Sequence, residues 1–375
     1  MENNQVLIIG GGLAGLTAAI HLSSVGMNVT VVEKNSYPKH KVCGEYISNE
    51  VLPYLKSLNI SISELHPTRI NKLTFSTAAG KSITAPLPLG GFGISRYALD
   101  EYLYKKAVAN GTKVIHESVE TIAFDNDAFT ITTSSGKILE ATVVFGAFGK
   151  RSNIDQKMQR TFIQQKSPWL AVKAHYKGNF PNDLVGLHNF KGGYCGVSKV
   201  ENNVVNVCYL ADYETFKNYK NIEEYQDKVV SANPNLKAVF SNMTLLFDKP
   251  LTISQVSFEK KEAVENHMLM IGDTAGLIHP LCGNGMAMAI HSAKIAAELV
   301  EAYCNKQLTR KQLEENYTTQ WNYNFKKRLK TGRMLSALLQ KPKLSNVVLR
   351  IFTALPFLLP IIINKTHGKP ITLQS

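Results

Sequence analysis

The chain opens with two short apolar runs on either side of an apolar segment of helix length. Gln5–Ile9 is a fully apolar run of the kind that is buried in a parallel sheet. Residues 13–25 are rich in alanine and leucine and predict a helix that Gly26 ends. A second apolar run follows at 29–32. Strand, helix and strand in this order predict a β-α-β unit with a right-handed crossover and parallel strands.

Shorter runs fill the middle of the chain. Residues 96–110 predict an amphipathic helix. Short strands are predicted at 113–116, 119–124, 128–133 and 143–146. Further on, segments that alternate apolar and polar positions are separated by Gly, Asn and Pro, at 170–176, 184–190, 193–200 and 204–210. This pattern is typical of an antiparallel sheet, and we expect a helix at 222–232 to lie on it.

The pattern of a buried strand returns at 268–271, and residues 285–303 predict a long helix. At 375 residues the chain exceeds the length at which single cores divide, so two packed domains are expected. The sequence contains no internal repeat and no low-complexity linker between them. A domain that begins at the N-terminus is therefore interrupted by the sheet region and then resumes.

A glycine motif joins the first strand to the first helix. Gly10-x-Gly12-x-x-Gly15 has the order in which the first glycine turns the backbone, the second lets a pyrophosphate approach, and the third allows close packing of helix and strand. The helix N-terminus, which includes Leu13 and Ala14, offers free N–H groups and a partial positive charge to phosphates. The motif predicts a dinucleotide site.

An acidic residue at the end of the second strand supports this prediction. Glu33 lies about twenty residues beyond the glycines, where a carboxylate accepts hydrogen bonds from ribose hydroxyls, and Lys34 follows it. A carboxylate at this position favours an unphosphorylated ribose. The expected ligand is therefore FAD or NAD rather than NADP.

A second motif decides between these two cofactors. Residues 267–276 have the sequence HMLMIGDTAG and are followed by Pro280, by a Gly-Asn-Gly loop and by the long helix. The pattern resembles the second FAD fingerprint of glutathione-reductase-type flavoproteins, in the branch of p-hydroxybenzoate hydroxylase and geranylgeranyl reductase. The resemblance covers about residues 1–315 and implies an FAD-dependent oxidoreductase.

The resemblance also assigns roles within this second motif. In that family the aspartate holds a ribityl hydroxyl, and the Gly-Asn-Gly loop places backbone amides near the pyrimidine edge of the flavin. The positive end of the following helix would face the negative charge that reduced flavin develops there. The cofactor-binding residues implied here are Gly272, Asp273, Pro280, Gly283, Asn284, Gly285 and Met286.

Two further segments fit the same family. Residues 93–100 resemble its helix start, which implies that Arg96 lies beside the pyrophosphate. Residues 41–48 resemble the Cys-Gly segment of geranylgeranyl reductases, which passes close to the flavin ring and implies that Cys43 and Gly44 contact the cofactor. Cys43 is a candidate to tune the flavin or contact substrate, and the alternative is a small cysteine that fills space.

His279 is the second candidate for a catalytic group near the flavin, because it precedes Pro280 in the second motif. His175 and His188 fall on predicted strands of the sheet region, where a lone histidine is usually an ordinary packed residue. The histidines and cysteines show no metal-ligand spacing, so no metal is expected.

The implied fold is a discontinuous Rossmann-type FAD-binding α/β domain with an inserted antiparallel β-sheet substrate domain and a C-terminal helical segment. The FAD-binding domain is assigned to 1–65, 93–155 and 262–315. The substrate domain is assigned to 66–92 and 156–261, and the helical segment to 316–375.

Three departures from the family bear on the reaction. Phe148 replaces the aspartate of the Gly-Ala-Asp-Gly segment in aromatic hydroxylases, so the external reductant, NAD(P)H or a ferredoxin as electron-donor protein, stays open. The Tyr-x-Trp-x-Phe-Pro motif of prenyl reductases is replaced at 194–198. Neither Trp169 nor Trp321 lies in the Trp-x-Trp-x-Ile-Pro motif of flavin halogenases, which argues against halogenation.

We therefore expect a monooxygenase or hydroxylase-like enzyme that acts on a lipophilic aromatic, polyketide or isoprenoid substrate. The alternatives are a double-bond reductase like geranylgeranyl reductase and a non-redox flavin-dependent cyclase. A non-enzymatic prenyl-binding protein like the Rab GDP dissociation inhibitors is disfavoured, because the glycines, Glu33 and Asp273 are intact.

The last part of the chain is basic and then apolar. From residue 321 to 375 there are ten lysines and arginines and no acidic residue, in a chain of net charge +13. The sequence shows no nucleic-acid motif, so nucleic acid is not an expected partner. The apolar run at 347–363 is interrupted by Arg350, Pro356 and Pro360. It fits a peripheral membrane contact through 321–363 or a pocket cover, a buried hairpin, or a membrane span.

Five cysteines, an odd number without paired spacing, indicate a reducing compartment. The N-terminus has no signal-peptide pattern. We expect a cytoplasmic protein, with the inner face of the membrane as the site of any contact with lipid.

Overall fold

The computed structural model describes residues 5–339, 341–355 and 357–372. Its first sheet is the expected parallel one. Across the sheet its strands are β17 (Val264–Glu265), β18 (Met268–Met270), β10 (Val143–Gly146), β1 (Gln5–Ile9), β2 (Asn28–Val32) and β6 (Lys113–Ile115). All neighbouring strands are parallel except β17 and β18. The Rossmann-type α/β fold predicted from the sequence is confirmed.

The second sheet contains nine strands. Four of them, between residues 169 and 212, coincide with the alternating segments of the sequence. Across the sheet the strands are β15 (Met243–Leu245), β11 (Trp169–Gly178), β14 (Val205–Asp212), β13 (Gly193–Lys199), β12 (Leu184–Phe190), β4 (Thr68–Ser76), β5 (Ser82–Gly93) and β3 (Tyr46–Ser48), with β16 (Leu251–Ser254) also paired to β11. The sheet is antiparallel except for β4 and β12, which run parallel. No tight turn joins these two strands, so nothing fixes them antiparallel.

A third sheet consists of β7 (Val119–Asp125), β8 (Ala128–Thr133) and β9 (Ile138–Ala141). The helices are α1 (Leu13–Ser24), α2 (Leu52–Ser57), α3 (Arg96–Ala109), α4 (Asn153–Lys157), α5 (Tyr213–Phe216), α6 (Ile222–Tyr225), α7 (Pro234–Ser241), α8 (Gly285–Cys304), α9 (Arg310–Leu339), α10 (Pro342–Ala354) and α11 (Leu358–Thr366). The helix predicted at 222–232 is shorter, because a wider turn at Gln226–Val230 follows α6.

At two places a secondary-structure element crosses the domain division predicted from the sequence. β3 falls in the segment 1–65 that was assigned to the FAD-binding domain, yet it pairs with β5 in the second sheet. The boundary at 315 and 316 falls inside α9, which runs without interruption from the first domain into the C-terminal segment. Both differences arise because a change in composition along the chain does not mark where a continuous helix or a strand pairing ends.

The apolar run at 347–363 forms α10 and α11, and Pro356 within it lies outside the described residues, as do 1–4, 340 and 373–375. Phe352, Leu359 and Ile363 are buried against side chains of β4, β5 and β12. We call α10 and α11 the cover. Among the described residues, none of the helices combines the length and apolar composition that crossing a bilayer requires.

Candidate functional site

The first glycine motif lies at the carboxyl end of β1, a central strand of the parallel sheet, where the chain turns into α1. Gly10 adopts φ +109°, and a methyl group there would lie 2.4 Å from the carbonyl oxygen of Ala147. A methyl group on Gly15 would lie 2.0 Å from the carbonyl oxygen of Gly10. No side chain caps the N-terminus of α1 at Gly12, so its first N–H groups are left for a ligand. The motif therefore has the geometry of the phosphate-binding turn that the sequence predicts.

Glu33 stands beside this turn at the end of β2. Its carboxylate accepts hydrogen bonds from the backbone N–H of Gly11 at 2.9 Å and from the backbone N–H of Asn35 at 2.9 Å. These bonds hold the carboxylate in the wall of a cleft of about 460 Å³. We call this cavity the nucleotide cleft.

Two cations lie over the phosphate-binding turn. The carboxylate of Asp100 accepts two hydrogen bonds of 2.7 Å from the guanidinium of Arg96, and it forms an ion pair of 3.0 Å with Lys41. Burial alone would raise the pKa of Asp100, but Arg96 and Lys41 hold it below its usual value. A methyl group on Gly12 would lie 3.5 Å from Arg96 and 3.7 Å from Lys41. A diphosphate between Gly12 and these cations would meet both.

The second motif lines the same cleft. Asp273, Gly283 and Gly285 are part of its wall. No side chain caps the N-terminus of α8, because Asn284 binds elsewhere: its Nδ2 donates to Glu50 at 3.1 Å, and its Oδ1 accepts from Arg328 at 3.3 Å. Both α1 and α8 begin at the cleft, and the free N–H groups of their first turns therefore face it.

Most of the predicted cofactor residues line the cleft. They are Gly10, Gly12, Leu13, Ala14, Glu33, Lys34, Cys43, Gly44, Arg96, Gly272, Asp273, Pro280, Gly283, Gly285 and Met286. Gly15 and Asn284 stand behind the wall, where they allow close packing and hold the loop. Sequence reasoning missed Lys41 and Glu45, although both lie in the Cys-Gly segment and could have been found there.

Cys43 lies in the wall of the cleft with its sulfur 3.4 Å from the sulfur of Met286, at the start of α8. Its carbonyl oxygen accepts a hydrogen bond of 3.2 Å from the Nδ2 of Asn206 on β14. The Cys-Gly segment is thus held between the second sheet and α8. Its position agrees with the expected contact with the cofactor, and the role of the thiol stays a prediction.

His279, the other catalytic candidate, is not part of the wall of the nucleotide cleft. Its Nδ1 accepts from the backbone N–H of Leu281 at 3.4 Å, and its Nε2 lies 2.8 Å from the hydroxyl of Ser336 on α9. The rings of Trp169 and Phe258 surround it. Burial lowers the pKa of His279 to about 3. The side chain joins α9 to the loop before α8 as a neutral group.

This burial predicts an acid sensitivity that can be measured. In the unfolded chain His279 has a pKa near 6.5, so below that value the unfolded state binds a proton that the folded state excludes. The stability is complete above about pH 6.5 and falls as the pH drops toward the folded value. Between pH 7 and pH 5 we expect His279 to account for about 2 kcal/mol of the loss in unfolding free energy. Denaturant titrations of His279→Gln at both pH values should show a loss smaller by that amount, and an unchanged loss would contradict a neutral His279.

A buried cluster of charges lies behind the Cys-Gly segment. The carboxylate of Glu45 binds the ammonium of Lys173 at 3.0 Å and the Nε2 of His175 at 2.6 Å. The side chains of Glu45 and Lys173 are completely buried. Burial alone would raise the pKa of Glu45, but the hydrogen bond from His175 and the charge of Lys173 hold it below its usual value. His175 is therefore part of a charged network, whereas the Nδ1 of His188 lies 2.9 Å from the hydroxyl of Ser76, a neutral group.

A second cavity, of about 140 Å³, adjoins the nucleotide cleft. Gly44, Tyr46, Pro280 and Gly283 line both, so the two cavities meet at the place where the family resemblance puts the flavin ring. The remaining wall is mainly aliphatic and aromatic: Leu73, Phe75, Leu87, Val185, Leu187, Val197, Val348, Phe352, Leu359, Ile362 and Ile363. Among the described residues, this wall has no Asp, Glu, Lys or Arg. We call it the apolar cavity.

The cover is tied to the loop at 283–285 through one carboxylate. Glu50 is fully buried, and it accepts hydrogen bonds from Asn284, from Arg328 of α9 at 3.2 Å and from the backbone N–H of Gly368 at 2.6 Å. Its own carbonyl oxygen accepts from the N–H of Ile371 at 2.7 Å. The segment that follows α11 is thereby fixed to the second motif.

Comparison with known families agrees with this geometry. A model of the family described as FAD binding domain matches residues 3–320, which is most of the chain. The chain belongs to the FAD binding domain family. FAD is its cofactor, and the protein is an FAD-dependent oxidoreductase, as the sequence predicts. The two uncapped helix ends, Glu33 and the cations over Gly12 are the groups that would hold the two ends of this cofactor.

Relatives within and beyond this family differ in the reactions that their names state. Digeranylgeranylglycerophospholipid reductase 1 of Methanosphaera stadtmanae is 24% identical over 334 residues, which are 84% of this chain and 80% of the relative. The structure of the flavin-dependent brominase Bmp2 aligns with a TM-score of 0.79 at 18% identity, covering 96% of this chain and 92% of that one. The structure of pqsL, a probable FAD-dependent monooxygenase from Pseudomonas aeruginosa, aligns with a TM-score of 0.71 at 15% identity, covering 92% and 99%. The structural likenesses show a shared fold.

Proposed function

We propose that this protein is an FAD-dependent monooxygenase that hydroxylates an aromatic ring carrying both a hydroxyl group and an apolar chain. The observation that carries the proposal is one unpaired nitrogen at the border of an otherwise apolar cavity. The cavity adjoins the nucleotide cleft, so a molecule held there lies beside the flavin ring when FAD is bound. Its apolar wall supports a lipophilic substrate.

The unpaired nitrogen belongs to His367, which follows α11 and lines the apolar cavity. Its Nδ1 lies 3.0 Å from the carbonyl oxygen of Ile363. Because a carbonyl oxygen only accepts, the ring proton is on Nδ1, and Nε2 is an acceptor. That Nε2 is buried and has no hydrogen-bond partner among the residues that the structure describes. A buried acceptor without a donor is costly, which supports a ligand that supplies a hydroxyl.

The position of His367 suits a group that accepts a proton. Burial lowers the pKa of His367, so its imidazole is neutral at ordinary pH. Its ring lies 6.5 Å from that of Tyr46, which lines both cavities. A phenol whose hydroxyl donates to Nε2 would lie in the apolar cavity, which meets the nucleotide cleft at Tyr46. As the ring reacts, Nε2 can draw the phenolic proton toward itself, which makes the ring more electron-rich in the transition state and therefore easier to oxygenate.

The reaction consumes dioxygen, two electrons and two protons. One oxygen atom is inserted into a ring C–H bond to give a hydroxyl group, and the other leaves as water with the two protons. The electrons come from one NAD(P)H, which also brings one of the protons, or from two reduced ferredoxins with both protons taken from solvent. Bound FAD supplies the chemistry that passes these electrons to oxygen. The protein contributes orientation, the proton acceptor and the exclusion of water by the cover.

Product analysis with a long-chain alkylphenol tests this function. The FAD-loaded protein, supplied with dioxygen and with NADH, NADPH or reduced ferredoxin in turn, should give a product that is heavier by one oxygen atom. His367→Phe should keep its bound FAD and lose about 100-fold in kcat/KM, because a general base contributes that much. The methyl ether of the same phenol, which has no hydroxyl proton, is the matched control, and it should be a poor substrate for both proteins.

The same assay separates the other reactions. The relative named digeranylgeranylglycerophospholipid reductase supports double-bond reduction as the second candidate. An isoprenoid product heavier by two hydrogen atoms would favour that reductase, and an isomer of the substrate would favour a cyclase. Hydroxylation that is equally fast in His367→Phe would overturn the role of the histidine while leaving the monooxygenase standing.

A further inference from the structure

We propose that the outer face of the cover docks on the surface of an anionic phospholipid bilayer. The docked face would take up lipophilic molecules beside the apolar cavity. This inference concerns where the protein binds, and it does not depend on which reaction the flavin performs.

Apolar side chains form a row on the outside of the cover. Leu344, Val347, Ile351 and Leu355 of α10 and its end are each more than 40% exposed. Spacings of three, four and four residues place them on one face of the helix. Phe357 and Ile361 continue the exposed row onto α11 at 60% and 47%. Water is a poor environment for six large apolar side chains this close together.

The inner side of the same helices is already used. Val348 and Phe352 line the apolar cavity together with Leu359 and Ile363. The cover is thus apolar on two sides, one facing the cavity and one facing outward. A helix that only closed a pocket would carry polar residues on its outer face. The outer row therefore indicates a second apolar environment.

The charges around the row select the kind of surface. Four cations near the row are exposed: Lys341 just before α10, Arg350 on α10, and Lys365 and Lys369 around the end of α11. Four more exposed cations lie on the preceding helix: Lys326, Lys327, Lys330 and Arg333. The sequence from residue 321 to 375 has no acidic residue to offset them. An apolar row whose own segment of the chain carries cations and no acidic residue is complementary to acyl chains beneath anionic headgroups.

The row and the cavity are separated by one layer of helix. Ile351 and Phe352 are adjacent in sequence, and the first is exposed while the second is buried against the cavity. A smaller pocket between the end of α11 and Leu87–Gly90 shares Tyr46 and His367 with the apolar cavity. A lipid-facing cover would therefore stand between the bilayer and the flavin side of the site.

Vesicle sedimentation tests the proposal without any turnover. The full-length FAD-loaded protein should sediment at low salt with vesicles of about three parts phosphatidylcholine to one part phosphatidylglycerol, and much less with pure phosphatidylcholine. Arg350→Gln/Ile351→Gln should weaken the binding by at least about tenfold, because it removes a headgroup contact and an inserted side chain. Higher salt should weaken binding by screening the cations.

A matched control exists elsewhere on the surface. Lys137→Gln/Ile138→Gln likewise changes a cation and the isoleucine that follows it, at an exposed site on the hairpin of β8 and β9. This control should bind vesicles like the wild type. Equal loss in both variants, or no binding by the wild type, would overturn the proposal. A lipid-free dimer that Arg350→Gln/Ile351→Gln converts to a monomer would also overturn it, since a second copy would then cover the row.

Discussion

Gly12→Ala will leave the protein folded and weaken its binding of FAD by at least about 100-fold, which is about 2.8 kcal/mol. The added methyl group would be 3.5 Å or more from every protein atom, so the apoprotein tolerates it. Gly12 has an extended backbone with φ −87° that alanine also adopts. The methyl group would, however, occupy the space between the start of α1 and the cations, where the diphosphate must approach. Titration of the apoprotein with FAD, followed by flavin fluorescence, measures the loss.

Gly15→Ala is the contrasting variant. Its methyl group would lie 2.0 Å from the carbonyl oxygen of Gly10, so this change should destabilise the apoprotein itself. Thermal unfolding of the two apoproteins distinguishes the effects: Gly12→Ala should melt like the wild type, and Gly15→Ala should melt lower. Tight FAD binding by a folded Gly12→Ala protein would show that the diphosphate lies elsewhere.

Glu45→Gln will lower the free energy of unfolding by about 3–5 kcal/mol, although it changes one atom. Lys173 is completely buried, and Glu45 is its ion-pair partner. The amide keeps a hydrogen-bond acceptor for the backbone N–H of Arg96 but removes the negative charge that balances Lys173. An uncompensated buried charge costs several kcal/mol. Denaturant unfolding at neutral pH gives the value.

The double variant Glu45→Gln/Lys173→Met separates loss of charge balance from loss of packing. Removing both charges eliminates the unpaired ammonium, so the double variant should be more stable than Glu45→Gln alone. The chain supplies a comparison in Lys72→Met, which breaks the exposed ion pair with Asp183 and should cost less than about 1 kcal/mol. Destabilisations of Glu45→Gln and Lys173→Met that simply add would contradict a coupled buried pair.

The sequence predicts the parallel sheet and the nucleotide cleft because local rules determine both. β1, the turn at Gly10–Gly15 and Glu33 are close in sequence, and each has one steric or hydrogen-bonding requirement that few residue types meet. The second motif is far away in sequence. Its strand, β18, can nevertheless be recognised in the sequence by its unbroken apolar run. In the structure β18 pairs with β10. FAD binding and the fold could therefore be predicted before any contact was known.

Contacts between segments that are distant in the chain could not be predicted from the sequence. Glu45 meets Lys173 and His175 across about 130 positions, and only the pairing of the second sheet brings them together. His367 was not singled out, because its importance comes from an unpaired atom in a cavity wall. His279 was placed near the flavin by its position beside Pro280, but the turn directs its side chain toward α9. Two residues that are adjacent in one loop can direct their side chains to opposite sides of that loop.

The carboxylate of Glu50 couples two equilibria, the binding of the cofactor and the opening of the cover. It binds Asn284 in the loop beside the flavin site and the N–H of Gly368 just after α11. Whatever order FAD imposes on that loop is passed to the last turn of the cover, and by thermodynamic reciprocity a firmly seated cover strengthens the grip on FAD to the same extent. A membrane or a bulky substrate that lifts α11 would in turn loosen the hold on the isoalloxazine.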